Sequence, residues 1–341
     1  MVWAVCCGSP PAVLDDSASQ VVAVQTKNED PPWALGDDGS SFREPGEISL
    51  SETVATEPAP EPFPNREDLL DATEQNFVQG LLSAEDRAYQ TRLLRDALAF
   101  RRLPYDLDGE AWETHLGDNC SMAVNFAFLG VGKEAKVRFK VVMSNFEAET
   151  LHLFALAQYP DLYPTIIPTF KTVDIVRKFA LNDFFIAPTV RVPIPLLPSF
   201  HNIGQIVRYD LMDEAEAGVL IAIEQPKEKA TTWRGVDVPP VKKGCNRVYK
   251  EMVTGLVKLT NIRTHDVQAE GVVDLKVPRW LLTSVVMRGL INIIARQIYY
   301  QIKRILAKFE STEFARRMKE DEAYFDRLRN RLIQAQSSGK T

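Results

Sequence analysis

The stretch "VVDLKVPRWLLTSVVMRGLINIIARQIYYQIKRIL", residues 272–306, decides the fold of this chain. A strand-like run meets Pro278, and a long, very apolar helix follows. The longest uncharged run of that helix, 280–287, ends at Arg288, and Arg296 interrupts the next run. Because a helix that spans a bilayer needs about 20 predominantly apolar residues, we expect this helix not to cross a membrane and the protein to be soluble.

The helix is apolar around most of its circumference. Its polar residues form one narrow stripe: Ser284, Arg288, Asn292, Arg296 and Lys303. An apolar arc this wide must contact protein on two sides, or protein on one side and lipid on the other. Two interpretations stay open: an ordinary core helix, or a lid over an apolar cavity. The lid interpretation assigns four of its residues to the cavity wall: Val286, Met287, Leu290 and Ile294.

Charge is unevenly distributed along the chain. The net charge is −6, but residues 1–65 hold 11 acidic residues, two basic residues and nine of the 21 prolines. This composition predicts a disordered, acidic, proline-rich tail over 1–65. Residues 66–341 are then net +3 (−6 minus −9). A weakly basic folded part fits an anionic membrane surface better than nucleic acid, since it has no dense Lys/Arg cluster interleaved with aromatic residues.

The order of periodic segments predicts the fold class. A helix should begin after Ser83, which is placed to cap it, and strands should follow at 121–129 and 135–143. A helix at 146–160, ended by Pro160, precedes six further strand segments: 170–179, 183–194, 202–212, 218–225, 245–260 and 265–275. This order predicts an α+β fold with a large antiparallel sheet and not a βαβ fold.

Motifs for catalysis or cofactor binding are weak. Gly130-x-Gly132-x-x-Ala135 has the spelling of a dinucleotide fingerprint, but that motif needs a helix next, and an alternating strand follows it here. The four histidines are far apart in sequence, and none forms an i, i+4 metal pair. The four cysteines make no metal or disulfide framework, which indicates a reducing compartment. We therefore expect no enzyme activity, no cofactor and no metal.

Two strands carry a polar residue in their apolar phase. Arg177 shares a phase with Val173 and Ile175, and Gln205 shares one with Val207 and Tyr209. A polar group in an apolar lining costs several kcal/mol unless it is paired. Such a residue is paired, waits for a ligand headgroup, or is turned to solvent by a bulge. The ligand interpretation places three residues on a cavity wall: Arg177, Gln205 and Tyr209.

These features together resemble the START (steroidogenic acute regulatory-related lipid-transfer) family of the helix-grip superfamily, over about 109–306. "GEAWETH" (109–115) is similar to the opening strand of that family, and the helix at 146–160 to the one after its third strand. "PPVKKGCNRVYKEMVTGLVKL" (239–259) resembles its Pro-Pro-x-Lys-x-Gly-x-x-Arg strand. "VDLKVPRWLL" (273–282) resembles the turn into its last helix.

The resemblance implies a helix-grip fold, in which a curved antiparallel sheet wraps around a long C-terminal helix and leaves an internal apolar tunnel. It assigns 66–310 to a lipid-binding domain, with Pro278 and Trp280 at the hinge of the lid. It implies a carrier or sensor of one lipid, sterol or phospholipid, in the cytoplasm with transient membrane contact. Ser199-Phe200-His201 stands where the family commonly has an Arg-Asp pair, so Arg177 or Gln205 is the candidate replacement for that polar grip.

Two other functions stay open. One is a cyclase- or hydrolase-like helix-grip enzyme, which would need a titratable cluster such as His201 or His265 beside Asp274. The other is an interaction module whose cavity is filled by its own side chains.

The two ends of the chain carry expectations of their own. The charged helical extension at 311–341 would recruit a protein partner or lie on a membrane surface, or it would pack on its own domain. Cys6 and Cys7 are candidate acylation sites, and two lipid chains would make a stable anchor.

Overall fold

The computed structural model describes residues 83–102, 110–129, 134–191, 198–212, 217–260, 263–278 and 284–337. Within these ranges there are six α-helices: α1 Ala84–Arg102, α2 Thr150–Gln158, α3 Tyr163–Ile166, α4 Ser284–Leu306, α5 Glu313–Glu320 and α6 Glu322–Ser337. The predicted tail at 1–65 lies outside the described residues. So does the helical pattern that precedes Ser83.

The strands follow the predicted order. They are β1 Glu110–Gly117, β2 Cys120–Leu129, β3 Glu134–Glu147, β4 Phe170–Ala180, β5 Asp183–Val190, β6 Ser199–His201, β7 Gly204–Asp210, β8 Gly218–Glu224, β9 Thr232–Trp233, β10 Val236–Asp237, β11 Cys245–Asn246, β12 Tyr249–Leu259 and β13 Thr264–Pro278. Strand β3 pairs antiparallel with β2, so a strand stands where the dinucleotide motif needs a helix, and that interpretation is excluded. The hairpin β9–β10 falls in a segment expected to be a connection.

One large antiparallel sheet organises the molecule. Its strand order is β1-β2-β3-β13-β12-β8-β7-β5-β6-β11, and β4 pairs with β5 outside this path. Only the β6–β11 pair within the described sheet is parallel. The predicted α+β class, with a curved antiparallel sheet and a long C-terminal helix, is confirmed.

Both faces of the central strands are covered, and the side-chain alternation of β8 shows this. Val219, Ile221 and Ile223 belong to the large core that also contains α2 and α4. Leu220 and Ala222 belong to a second core under α1. We call the first side the inner face and the second the outer face. Because successive strand side chains point to opposite sides, each residue of β8 serves one core or the other.

Helix α1 covers the outer face and begins as predicted. The Ser83 hydroxyl accepts a hydrogen bond from the backbone N–H of Asp86 at 3.0 Å and donates to the Asp86 carboxylate at 2.8 Å. This cap satisfies one of the free N–H groups at the start of the helix. At the other end, Arg101 forms a 3.1 Å ion pair with the buried Glu270 of β13. Helix α1 is therefore capped at its N-terminal end and fixed to the sheet at its C-terminal end.

The C-terminal residues form two short helices that pack on the inner core. A 3₁₀ turn at Phe309–Ser311 separates α4 from α5, and Asp321 separates α5 from α6. Phe314, Phe325 and Leu328 are buried in the same core as α2 and α4. Three interpretations were open for 311–341. In the described part of this range, the helices pack on their own domain.

Substituting Gly218 should test the close approach of β8 and β12. A Cβ at this position collides with the backbone carbonyl of Val257, which cannot move without separating the strands. We expect Gly218→Ala to destabilise the protein by about 2 kcal/mol or more, measured by urea unfolding. Gly289→Ala is the matched control, because nothing lies within 4 Å of its Cβ and alanine favours a helix by roughly 1 kcal/mol. Equal stability of the two variants would contradict the close approach.

Candidate ligand cavity

Helix α4 covers the inner face of the sheet with one side only. Met287, Leu290, Ile291, Ile294, Ala295, Ile298 and Ile302 are buried in the inner core. Val285 is 81% exposed and Ile293 is 48% exposed, while the predicted wall residue Val286 is 39% exposed. The wide apolar arc therefore has a protein side and a solvent side. Val286, with 39% of its surface exposed, belongs to the solvent side and does not face the inner core.

The polar stripe of α4 contacts the edge strand β1. Asn292 Oδ1 accepts hydrogen bonds from Trp112 Nε1 at 2.9 Å and from Thr114 Oγ1 at 3.2 Å. Tyr299 Oη donates to the Gly117 carbonyl at 3.0 Å, and Lys303 lies 3.3 Å from the Asp118 carboxylate. These polar contacts fix the rotation of α4 about its axis, which decides which apolar residues face inward.

An apolar cavity lies between α2 and the inner face of the sheet. Its wall is formed by Leu153, Leu156 and Ala157 of α2, Ile166 of α3, Ile221 of β8, Gly255, Leu256 and Val257 of β12, and Val267 and Gln268 of β13. Its volume is about 20 Å³, which is room for about one water molecule. Ligand sites for small molecules have about 300–1,000 Å³, so this cavity must expand before a lipid enters it.

Met287, Leu290 and Ile294, which the lid interpretation assigned to a cavity wall, are buried in the inner core, and the wall of this cavity consists of other residues. Helix α2 is closer to the cavity than α4 is. The sequence favoured α4 as the cavity wall because the apolar arc of α4 is longer than that of the nine-residue α2.

Arg208 lies at the edge of this cavity, and the sequence analysis missed it. It pairs across the sheet with the wall residue Ile221, so both side chains lie on the inner face. Its Nε donates to the carbonyl oxygen of Ala157, another wall residue, at 2.7 Å. Arg208 is 2% exposed, and Nη1 and Nη2 have no hydrogen-bond partner among the described residues. In the sequence, Arg208 lies in the other alternating phase of β7, two residues after the apolar Ile206.

Gln205 and Tyr209 lie on the outer face, under α1. The shared phase with Val207 was predicted correctly, but these residues face a helix and not the cavity. Tyr209 Oη donates to the Gln90 carbonyl of α1 at 2.8 Å, and Gln205 Nε2 donates to the Asp183 carboxylate. The reason for the difference is that β7 is covered on both sides, so an apolar phase does not identify the cavity side.

Asp183 is the centre of a buried polar network on the outer face. It accepts hydrogen bonds from Gln90 Nε2 and Arg234 Nη1, both at 2.9 Å, and from Gln205. Burial raises the pKa of Asp183, while these three partners act in the opposite direction. The network joins α1, β5, β7 and the β9–β10 hairpin, so its role is structural.

The turn between β9 and β10 delivers Arg234 into this network. Arg234 and Gly235 have φ angles of 47° and 72°, the left-handed region used by two-residue hairpin turns. Arginine rarely adopts this conformation. Here its guanidinium reaches Asp183 and Asp86 and lies 3.9 Å from the Phe179 ring centroid. The buried ion pair explains why the strained conformation is kept.

Arg177 is exposed and is not at the cavity wall. The pairing of β4 with β5 shifts between Ile175 and Arg177 and again between Lys178 and Ala180. These bulges change the phase of the strand, and they leave Ile175 41% exposed as well. The bulge interpretation of Arg177 therefore holds, and the ligand interpretation does not.

Comparison with known proteins shows similarity at the level of the fold. No family model and no curated protein matches the chain. Human STARD10 aligns with a TM-score of 0.49 at 14% identity, over 65% of this chain and 84% of that chain. Human StAR-related lipid transfer protein 5 gives 0.48 at 11%, over 67% and 100%. The Streptomyces aromatase/cyclase Zhui gives 0.30 at 9%, over 50% and 95%.

The fold is START-like. The element order has the opening strand β1, a helix after β3, a Pro-Pro segment before β12, and a closing strand that leads to the long helix. This order of elements is the one that the START resemblance implied.

The START-like Pro-Pro segment has a structural role in this chain. Arg247 Nη2 donates to the Pro239 carbonyl at 2.7 Å, which closes the loop on itself. The backbone N–H of Lys242 donates to His201 Nδ1 at 3.2 Å, and Lys242 Nζ pairs with Asp174 at 2.6 Å. The loop is thus held against β6 and β4.

The residues proposed for an enzyme site are not brought together. His265 and Asp274 are both on β13, nine residues and roughly 30 Å apart. His201 is on β6, five strands away in the sheet order. Burial lowers the pKa of both histidines, and His265 Nε2 lies 3.1 Å from the Ala148 carbonyl oxygen. Each histidine therefore sits in its own hydrogen-bonded position.

Several predictions concern residues without a structural description. Trp280, Cys6 and Cys7 lie outside the described residues, and Pro278 ends β13 with its side chain undescribed. Over the described ranges, no group of three or more possible metal ligands occurs, and no helix is long and apolar enough to cross a membrane.

Removing Arg234 should reveal how strongly the outer network depends on its ion pair. Arg234→Met leaves the buried Asp183 carboxylate short of its cationic partner, and we expect a loss of about 3 kcal/mol in the free energy of unfolding. Adding Asp183→Asn should recover part of this loss, which a double-mutant cycle measures. Arg316→Met is the control, because its ion pairs are exposed and contribute under about 1 kcal/mol. Additive effects of the two network substitutions would refute the coupling.

Proposed function

We propose that this protein binds a single lipid in the apolar interior between its sheet and its inner helices, and carries or senses that lipid without catalysis. The observation that carries the proposal is the two-sided character of α4. One side covers the inner core, and the other exposes Val285 and Ile293 to solvent. A helix that only completed a core would gain nothing from this exposed apolar side.

The chemistry of lipid transport explains why such an interior is useful. Exposing a ~16-carbon chain to water costs roughly 0.8 kcal/mol per methylene, or about 13 kcal/mol in all. An enclosed apolar space removes this cost during transit between membranes. The wall around the cavity is mostly aliphatic, with the polar Gln268 as an exception and Gly255 as a position without a side chain.

The cavity described between α2 and the sheet is too small for a lipid, so binding at this place requires an inner helix to move. The cavity of about 20 Å³ lies directly beneath α2, and α4 is tied to β1 by the hydrogen bonds of Asn292 and Tyr299. We propose that a membrane surface competes for these polar groups and breaks the hydrogen bonds of Asn292 and Tyr299 to β1. The interior can then expand. The carrier is then closed in water and open at the membrane.

The exposed side of α4 fits a transient contact with an anionic membrane. The helix has four basic residues and no acidic one over Ser284–Leu306. Arg288 and Arg296 are exposed beside Val285 and Ile293. Cations flanking exposed apolar side chains favour the surface of a bilayer that contains anionic lipids. The proposed location is the cytoplasm, with reversible attachment to membranes.

Lipid should co-purify with the protein. Native mass spectrometry of the full chain from a eukaryotic host, followed by lipid extraction, should find one lipid at near-equal stoichiometry. Delipidated protein should also take up one lipid from vesicles. Bare protein that takes up nothing from vesicles would reject the carrier function and favour the interaction module.

A charge on the exposed side of α4 should weaken membrane contact. Burying an isoleucine contributes roughly 1.5–3 kcal/mol, so Ile293→Glu should reduce binding to phosphatidylserine vesicles by about tenfold or more. Added salt should weaken the binding of the unsubstituted protein, because the basic residues are exposed. Ile333→Glu on α6 is the matched control, since Ile333 is 55% exposed on another helix. Equal losses in the two variants would exclude α4 as the contact surface.

A further inference from the structure

The C-terminal extension connects several of the elements that surround the cavity. We use this name for the 3₁₀ turn at Phe309–Ser311 together with α5 and α6. The extension follows α4 directly in the chain. Phe314, Phe325 and Leu332 bury it in the inner core, so it is part of the folded domain and not a free tail.

The first attachment of the extension is to the segment between α2 and α3. This segment consists of Tyr159 and the 3₁₀ turn Pro160–Leu162. Tyr159 Oη donates to the Asp321 carboxylate at 3.0 Å, and Arg317 Nη1 pairs with the Asp161 carboxylate at 2.7 Å. The Arg317 guanidinium carbon also lies 5.5 Å from the Tyr159 ring centroid, within the range of a cation–π contact. Three contacts therefore join this short segment to α5 and to the junction of α5 with α6.

The segment held in this way connects two helices of the cavity wall. Leu153, Leu156 and Ala157 of α2 precede it, and Ile166 of α3 follows it. Because only the four residues 159–162 separate α2 from α3, displacement of either helix has to move this segment. Its attachment to the extension therefore restrains both wall helices at once.

The extension has two further attachments, one to the sheet and one to α2 itself. Arg331 of α6 forms an ion pair with Asp210 of β7 at 2.8 Å. The ring of His152 in α2 stacks on Phe309, with the ring centroids 3.7 Å apart. Because the extension contacts both the wall helices and β7, the wall cannot move far from the sheet unless one of these attachments breaks.

The two ion pairs differ in how easily they can break. The side chains of Arg331 and Asp210 are 9% and 12% exposed, whereas those of Arg317 and Asp161 are 26% and 23% exposed. Water solvates the separated charges of a more exposed pair, so breaking that pair costs less free energy. The attachment to the segment between α2 and α3 is therefore the one that opens first.

Building on the proposed lipid-binding function, we infer that the C-terminal extension is an autoinhibitory latch. It holds the wall formed by α2 and α3 against the sheet through Arg317 and Asp321, and release of these contacts admits the lipid. The latch lowers the fraction of molecules that can bind, and the apparent affinity for lipid falls by the same fraction. It acts on α2 and α3, whereas the hydrogen bonds of Asn292 and Tyr299 hold α4.

The test weakens the latch without changing a residue of the cavity wall. Full-length Arg317→Met and Asp161→Asn proteins each lose the ion pair between α5 and the segment. Arg316→Met is the matched control, because it makes the same change at the next residue of α5, whose pairs with Glu313 and Glu320 stay within that helix. Each delipidated protein is mixed with vesicles of phosphatidylcholine, phosphatidylserine and cholesterol, and bound lipid is followed over time by native mass spectrometry.

Both latch variants should load lipid faster than the unsubstituted protein. We expect an increase of about threefold or more, because the lost pair no longer opposes opening. The double variant should gain little further, since both substitutions remove the same pair. Arg317→Met and Asp161→Asn change the net charge in opposite directions, so an effect of charge on vesicle binding would move them apart. Arg316→Met should load at the rate of the unsubstituted protein.

Hydrogen exchange of the lipid-free proteins gives a readout that needs no ligand. Backbone amides of residues 150–166 should exchange about threefold faster in both latch variants, because local opening of the wall becomes more frequent. The amides of β12 and β13 should exchange as in the unsubstituted protein. Faster exchange in β12 and β13 as well would show that the ion pair supports the whole fold, and it would overturn the latch.

The loading outcomes separate the latch from the lipid-binding function. Loading that is equal in all the proteins, or slower in the two latch variants, overturns the latch while lipid binding stands. Absence of loading in every protein rejects lipid binding and the latch with it. Where one latch variant does not fold, the other decides, because each removes one partner of the same ion pair.

Discussion

The structure depends on the burial of one side of α4 against the inner face of the sheet. Seven aliphatic residues of α4 lie in a core that also contains α2, α5 and α6, and each of the larger ones contributes roughly 1.5–3 kcal/mol. The hydrogen bonds of Asn292 and Tyr299 to β1 fix the rotation of the helix. That rotation leaves Val285 and Ile293 in solvent and thereby creates the surface on which the proposed membrane contact rests.

Buried polar groups occur on both faces of the sheet, and they differ in whether they are satisfied. On the outer face, Asp183 has three donors around it, and Arg234 has two carboxylates. On the inner face, Arg208 donates from Nε to the Ala157 carbonyl, and its Nη1 and Nη2 have no hydrogen-bond partner among the described residues. Satisfied polar networks of the kind around Asp183 help to specify one fold.

The small size of the described cavity bears on the proposed lipid-carrier function. A void of about 20 Å³ cannot hold a lipid as it stands, so the proposed binding at this place needs motion of the inner helices. The C-terminal helices are tied to the segment that follows α2: Tyr159 donates to Asp321 at 3.0 Å, and Arg317 pairs with Asp161 at 2.7 Å. Expansion at α2 therefore involves the C-terminal helices as well.

The sequence by itself determined the element order and the α+β class, because strand alternation, the Ser83 cap and the Pro278 boundary are local signals. The START-like architecture came from the family resemblance of its motifs. It also determined that Gln205, Val207 and Tyr209 share one face of β7. Only the tertiary structure decided what covers that face. Since α1 covers the outer side and α2 with α4 the inner side, both phases of β7 are buried, and periodicity cannot tell a helix contact from a cavity wall. Arg177 was misplaced for a related reason, because two bulges in β4 shift the phase that a regular strand would keep.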